Sequence, residues 1–188
     1  MSQIQRVGLT VGLVLGTACA PSVPVIRIED SSLQINHTGQ ASVTVERITN
    51  LTAFEVHLSF DAHILEVVEL QNGKFIKPDF IIENSFDNGA GTIDYAVAQI
   101  NDPPAKGSGT LFTLILRAKA EGRSPLYFRE TQAAPAGALF SNSDGMAIQV
   151  SLMDGSVSVA DSVNMLPALI SSLFLRVFPE QDRLGSGD

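Results

Sequence analysis

Short segments in which apolar and polar residues alternate follow one another along most of this 188-residue chain, from Val25 to about Ala160. The clearest segment has apolar residues at every second position and polar residues between them: Phe54, Val56, Leu58 and Phe60 against Glu55, His57 and Ser59. Successive side chains of a strand point to opposite faces, so the pattern predicts strands with one buried and one solvated face. Such strands must cover their apolar faces with another layer of secondary structure.

About nine segments of this kind are separated by clusters of Gly, Asn, Asp and Pro. They lie near residues 42–46, 54–60, 65–70, 93–97, 111–118, 124–129, 140, 148–152 and 156–159. Turns are expected at 107–109, at Asp144-Gly145 and at Asp154-Gly155. Residues 24–160 are therefore predicted to form an all-β antiparallel sandwich of about nine strands, with jelly-roll topology preferred.

The first twenty residues have the pattern of a bacterial export signal. Arg6 precedes an apolar run, 7–15, which is followed by small residues and Cys19. The run is shorter than the roughly 20 residues that cross a bilayer as a helix. Residues 1–20 are predicted to be either a cleaved signal peptide or a lipoprotein signal in which a lipidated Cys19 tethers the protein to a membrane. Both alternatives predict a secreted or surface-displayed protein.

The chain changes its periodicity after Ala160. The apolar residues there follow the spacing of one helical face: Leu166, Leu169, Ile170, Leu173, Phe174 and Val177. A short helix is therefore predicted in the C-terminal tail, 161–188, with Pro179 at its end. This helix is expected either to pack on the sandwich or to make interfacial or self-association contacts.

Composition excludes several classes of partner and site. Asp and Glu number 20 against 12 Lys and Arg, which gives a net charge of −8 and makes nucleic acid an unsuitable partner. Cys19 is the one cysteine, so neither an internal disulfide nor a thiolate metal cluster can form.

The polar residues show no arrangement typical of catalysis or metal binding. The three histidines, His37, His57 and His63, stand in no recognisable acid–base motif, and His57 is expected to lie on a solvated strand face. Residues 87–89 resemble the start of a calcium loop, but the acidic ligand that should follow is missing, so a hairpin turn is expected there. We therefore predict a protein that is not an enzyme and uses no cofactor and no metal.

Four segments resemble consecutive strands of cohesin domains and occur in that family's order. They read FEVHLSFDAHILEVVEL from residue 54, TIDYAVAQ from 92, GSGTLFTLILRAKAEG from 107 and DGSVSV from 154. The resemblance covers roughly residues 25–160. It implies a nine-stranded jelly-roll sandwich, related to certain carbohydrate-binding modules, whose sheet face binds a dockerin domain on another protein. In cellulosomes, that contact joins enzymes to a scaffold.

The resemblance also implies where a partner binds. The corresponding positions lie on the outward side of two strands and include Ala53, Glu55, His57, Ser59, Asp94 and Gln99. The best-studied cohesins have Asn and Asp where this chain has Ala53 and Glu55. Glu55 keeps an acceptor charge, whereas Ala53 lacks the amide that both donates and accepts hydrogen bonds.

Three functions are compatible with these observations. The first is a non-catalytic extracellular module that attaches to a dockerin-like domain, in a setting such as polysaccharide degradation. The second is a carbohydrate-binding module that binds polysaccharide directly, although the chain has no Trp and two Tyr to stack on sugar rings. The third is a structural subunit of the cell envelope that associates through its C-terminal tail.

Overall fold

The computed structural model describes residues 23–161. These residues form twelve strands: β1 (Val25–Ile28), β2 (Ser31–Gln34), β3 (Thr38–Leu51), β4 (Ala53–Ser59), β5 (Leu65–Asn72), β6 (Phe80–Asp87), β7 (Thr92–Ala98), β8 (Ala105–Ala118), β9 (Gly122–Phe128), β10 (Ala138–Ser141), β11 (Ser151–Met153) and β12 (Gly155–Ala160). The predicted signal, with Cys19, and the predicted C-terminal helix lie outside the described residues. No stretch within 23–161 forms a helix long and apolar enough to cross a bilayer.

Two sheets make up the sandwich. The first has the order β11-β1-β3-β8-β5, and the second has the order β2-β12-β9-β4-β7-β6, with β10 pairing beside β4. Neighbouring strands are antiparallel, except for two parallel pairs, β1 with β11 and β12 with β2. Each parallel pair joins one of the first two strands of the domain to one of the last two.

Alternating side chains of both sheets meet in one core. Along β3, Ala41, Val43 and Val45 are buried, and the polar residues between them are partly exposed. Along β4, Phe54, Val56 and Leu58 are buried in the same way. Complete burial of each such aliphatic side chain stabilises the fold by about 1.5–3 kcal/mol, so the apolar phase of each strand determines which face turns inward.

Four aromatic rings fill the core near the start of β4. Phe54 lies 6.0 Å from Tyr95 and 5.9 Å from Phe140 between ring centroids, and Tyr95 stacks on Phe112 at 4.6 Å. The rings come from four strands of both sheets, so they join the layers of the sandwich. Burial of Tyr95 raises the pKa of its phenol.

The terminal strands close the sandwich by passing from one sheet to the other. Strands β1 and β2 belong to different sheets, as do β11 and β12, and only Asp154 separates the last two. A side chain at Gly155 would place its Cβ 2.3 Å from the Ile28 carbonyl oxygen, so the crossing requires glycine. The Ser156 hydroxyl donates to Asp30 Oδ1 at 2.8 Å and links the two crossings.

The structure confirms the predicted all-β sandwich. It has twelve strands where about nine were expected, because none of the predicted segments falls at β1, β2 or β6. The expected hairpin turn at Asp154-Gly155 is instead the sheet crossing. The expected turn at 107–109 lies inside β8, which begins at Ala105.

Candidate functional site

The solvent side of β10, β4, β7 and β6 forms a continuous surface, which we call the outer face. The strand register places Glu55 opposite Ala96, His57 opposite Asp94, and Leu139 opposite Glu55. Side chains two residues apart on a strand share a face, so polar groups from β4 and β7 and an apolar group from β10 lie side by side.

His57 lies at the centre of the outer face between two carboxylates. Its Nδ1 is 2.5 Å from Asp94 Oδ1, and its Nε2 is 2.6 Å from Glu55 Oε1. The imidazole lies between a carboxylate of its own strand and one of the neighbouring strand, so its hydrogen bond with Asp94 links β4 to β7.

Arg129, just after β9, completes this charged cluster. Its Nη2 donates to Asp94 Oδ1, the same oxygen that faces His57. The cluster therefore contains two carboxylates and two basic side chains. Arg129 Nε is buried and has no hydrogen-bond partner among the described residues. Such charged hydrogen bonds are stronger than neutral ones, so the cluster fixes the side chains it contains.

A cleft of about 130 Å³ lies beside the charged cluster. Its floor is formed by Ala53 and Ala96, its walls include Ile82 and Leu139, and Glu55 is at its edge. The remaining lining residues are Phe54, Val97 and Ser141. Small-molecule sites usually occupy about 300–1,000 Å³, so this cleft has the size for one apolar side chain.

The structure brings four of the predicted site residues together. Ala53, Glu55, His57 and Asp94 all lie on the outer face. The expectation that His57 is solvated is wrong, because the residue is only 7% exposed. Its two carboxylate partners lie beside the ring, and Arg129 shares one of them. The alternation of β4 correctly predicted on which face of the sheet His57 lies, but it did not predict the burial of the ring or its carboxylate partners.

Ser59 and Gln99, the other two predicted site residues, are buried. Ser59 lies opposite Tyr127, where β9 pairs with the end of β4. The Gln99 amide is used inside the chain: Oε1 accepts from Lys77 N at 3.0 Å, and Nε2 donates to the Pro103 carbonyl at 2.7 Å. Gln99 therefore holds two loops together and does not present its amide to a partner.

Three residues of the site were missed by the sequence analysis. Ile82 and Leu139 are 69% and 41% exposed and flank the cleft. Arg129 ends a predicted strand, but nothing in the sequence indicates that it meets Asp94. The run Phe80-Ile81-Ile82 was the one available signal, because three consecutive apolar residues in a segment without alternation are unusual.

The segment at 87–89 is a hairpin turn, as predicted. The Asp87 carboxylate accepts from the backbone N–H groups of Ala90 and Gly89, and these hydrogen bonds lower the pKa of Asp87. Within residues 23–161, no group of three or more His, Cys, Asp or Glu side chains is arranged to hold a metal ion.

Solved structures with the same fold include several cohesins. A non-cellulosomal cohesin from the hyperthermophilic archaeon Archaeoglobus fulgidus is 16% identical, with a TM-score of 0.61 over 80% of this chain and 98% of that one. A cohesin–dockerin complex from Clostridium thermocellum gives 14% identity and a TM-score of 0.65, covering 74% and 100% of the two chains. A type II cohesin from the cellulosome of Acetivibrio cellulolyticus is 18% identical, with a TM-score of 0.60 over 78% of this chain and 99% of that one.

These structural similarities establish the fold, and a sequence comparison identifies the family. No curated protein sequence gives a significant match to this chain. The model of the cohesin domain family, in contrast, matches residues 25–159. This range includes nearly all of the described residues and every strand that forms the outer face. The chain therefore belongs to the cohesin family.

Proposed function

We propose that this protein is a non-catalytic attachment module that binds a dockerin-like domain through its outer face. The cleft between Ile82 and Leu139, next to the Glu55 carboxylate, carries the proposal. It combines an apolar recess with an exposed charge, which is the combination that protein–protein interfaces use for an anchor residue and its polar rim. Solved relatives include cohesins in complex with dockerins, and this supports the class of partner.

The size and lining of the cleft favour a protein partner. Its alanine floor admits an aliphatic side chain to the sheet surface, and its small volume does not match a sugar ring. At the position where the best-studied cohesins carry Asn, Ala53 makes the floor apolar. The partner is therefore expected to insert an aliphatic side chain here, where those relatives place an amide.

Glu55 indicates what should flank that aliphatic side chain. Its side chain is 30% exposed, and His57 contacts only Oε1. The second carboxylate oxygen can accept from a partner lysine, arginine or hydroxyl group. The expected recognition element is therefore an aliphatic residue followed or preceded by a hydrogen-bond donor.

The same geometry supports a role without catalysis. A general base needs a free lone pair within hydrogen-bond reach of the proton it removes. Both ring nitrogens of His57 already face carboxylate oxygens, and the ring is buried. The most polar cluster of the outer face is thus arranged to hold charges in place.

We further propose that the module acts outside the cell, where dockerin-bearing enzymes of polysaccharide degradation would be recruited. Support comes from residues 1–20 alone, including the apolar run and Cys19. Mass spectrometry of the mature protein tests this part. A diacylated N-terminal Cys19 supports a membrane tether, cleavage without lipid supports secretion, and an intact residue 1 contradicts both.

The class of partner is tested by direct binding. The immobilised chain is exposed to a panel of calcium-loaded type I and type II dockerin domains and, separately, to cellulose and xylan. Saturable binding of a dockerin that excess polysaccharide does not displace is the expected result. Binding to polysaccharide without any dockerin binding would replace the proposal with the carbohydrate-binding alternative.

A further inference from the structure

A second apolar recess lies on the far side of β10 from the cleft, and we call it the side recess. Its volume is about 140 Å³, close to the 130 Å³ of the cleft. Its lining residues are 136, 138–140, 147–150 and 152. The cleft and the side recess have one lining residue in common, Leu139, so this side chain stands between them.

The side recess forms because the chain turns back beside β10 and then leaves it. After a tight turn, Ala147 forms a bridge with Ser141, and Ile148 N donates to the Phe140 carbonyl oxygen at 2.7 Å. The chain then continues to β11, which pairs with β1 of the first sheet. Within residues 23–161, the start of β10 therefore has a neighbouring strand on the β4 side only, and the side recess occupies the other side.

The side recess is apolar inside and open at its mouth. Phe140, which is 1% exposed, forms the floor. One wall consists of the three aliphatic residues of 148–152, which pack against the core and are only partly buried. Around the mouth lie the exposed residues Ala136, Leu139 and Ala147. Like the cleft, the side recess has the size for one apolar side chain and is too small for a typical small-molecule ligand.

A protein that binds the cleft must also cover the mouth of the side recess. The two are separated by one side chain of β10, so their centres lie roughly 10 Å apart, about two strand spacings. A specific interface buries about 800 Å² on each partner, which corresponds to a disc of about 16 Å radius. An interface centred on the cleft therefore includes both. If the side recess stayed empty beneath the partner, its apolar walls would lack the contacts that dense interface packing provides.

We propose that the partner inserts a second apolar side chain into the side recess, so that two anchor residues lie on either side of Leu139. This inference rests on the function proposed above, because both anchors belong to the same partner. It specifies a partner surface with two aliphatic residues roughly 10 Å apart, the first of them beside a hydrogen-bond donor for Glu55. A dockerin-like domain that carries only the first anchor should bind more weakly.

Filling the side recess from its mouth tests the proposal. Ala136→Phe and Ala147→Phe each add a ring at an exposed position, so both variants should melt as wild type does. Their affinity for the dockerin domain that wild type binds best, measured by isothermal titration, should fall about tenfold or more. The matched control is Ala90→Phe, which makes the same change at an exposed position of the hairpin between β6 and β7 and should bind normally.

Substitutions in the partner identify the second anchor directly. Exposed aliphatic residues of that dockerin are changed to alanine one at a time and titrated against wild type, Ala147→Phe and Ala53→Leu, which fills the cleft. Two aliphatic residues are expected to contribute to binding to the wild-type chain. The effect of one should disappear in Ala53→Leu and the effect of the other in Ala147→Phe, because a filled recess no longer accepts its side chain.

The outcomes separate this proposal from the function on which it rests. If Ala136→Phe and Ala147→Phe bind like wild type while Leu139→Asp binds weakly, the second anchor is overturned and the outer face remains the binding surface. The same conclusion follows if every anchor residue of the partner is coupled to Ala53→Leu and none to Ala147→Phe. A wild-type chain that binds no dockerin domain overturns both proposals.

Discussion

The two faces of β4 are made by one seven-residue strand but serve different needs. The inward residues Phe54, Val56 and Leu58 are at most 2% exposed and pack in the shared core. The outward residues include Ala53 at the cleft and Glu55 in the charged cluster. Substitutions on the inward face should therefore lower the stability of the domain strongly. Substitutions on the outward face should change its stability little and should mainly change partner binding.

The largest expected effect is on the inward face. Leu58→Asp should unfold the domain, because an unpaired buried charge costs about 3–5 kcal/mol and most domains have only about 5–15 kcal/mol of stability. Circular dichroism during thermal denaturation measures this. The control is Leu139→Asp, which places the same charge on the exposed outer face and should melt near wild type. If Leu58→Asp melted at the same temperature as wild type, Leu58 would not face the core, and the inward and outward faces of β4 would be assigned the wrong way round.

An intermediate effect is expected for His57, which is outward but buried. His57→Leu keeps a similar volume but removes the ring nitrogens that hydrogen-bond with Glu55 and Asp94, so stability should fall by about 1–3 kcal/mol. Urea denaturation measures the difference. His63→Leu, at an exposed position, is the control and should stay within about 0.5 kcal/mol of wild type. Equal effects of the two substitutions would mean that the charged cluster does not hold β4 to β7.

The smallest expected effect lies at the rim of the outer face. Asp79, just before β6, accepts hydrogen bonds from the backbone N–H groups of Ile100 and Asn101, which lower the pKa of its carboxyl. Its folded pKa lies below the unfolded value, so the carboxylate stabilises the fold above that unfolded pKa. This contribution is lost as pH falls through the folded pKa.

The Asp79→Asn variant tests this pH dependence. At neutral pH the variant should therefore have a lower free energy of unfolding than wild type. This difference should shrink in acid, at pH values below the ordinary pKa of an aspartate. Denaturation curves of both proteins at several pH values measure it. A deficit that stays constant or grows in acid would contradict the assignment. Asp144→Asn, at an exposed loop position, is a suitable control.

The strands that the sequence predicted well are those in which apolar residues alternate with polar ones. Strand β4 alternates cleanly because the core demands an apolar side chain at every second position. Strand β6 was missed because it is an edge strand with a register shift between Ile81 and Glu83, and its apolar residues do not alternate. Tertiary position determines that pattern, and a single sequence does not reveal it.

The first half of β8 shows the same limit. Glycines at 107–109 suggested a turn, yet they belong to the strand. Gly109 lies against the Phe75 ring, and a Cβ there would come within 2.6 Å of it. Glycine is needed at this position because the Phe75 ring packs close to the backbone. Read from the sequence alone, the same glycine suggests a turn.

The sequence predicted on which face of the sheet the candidate site lies, but not which side chains contact one another there. Period-two alternation placed Glu55 and His57 on the same side of β4, and the cohesin resemblance predicted that this side binds a partner. The charged cluster around His57 depends on Asp94 of β7 and on Arg129, which follows β9, and both are distant from His57 in sequence. The cleft wall at Leu139 depends on β10, a four-residue strand. Such long-range contacts leave no local pattern in the sequence.

The central claim is that the outer face binds a protein partner through the cleft beside Glu55. The most direct test compares Leu139→Asp with Met153→Asp, an equally exposed residue of the first sheet, by isothermal titration against the dockerin domain that wild type binds best. Leu139→Asp should lose about tenfold or more in affinity while its melting curve stays that of wild type, and Met153→Asp should bind normally. Equal affinity of Leu139→Asp and wild type would contradict the account.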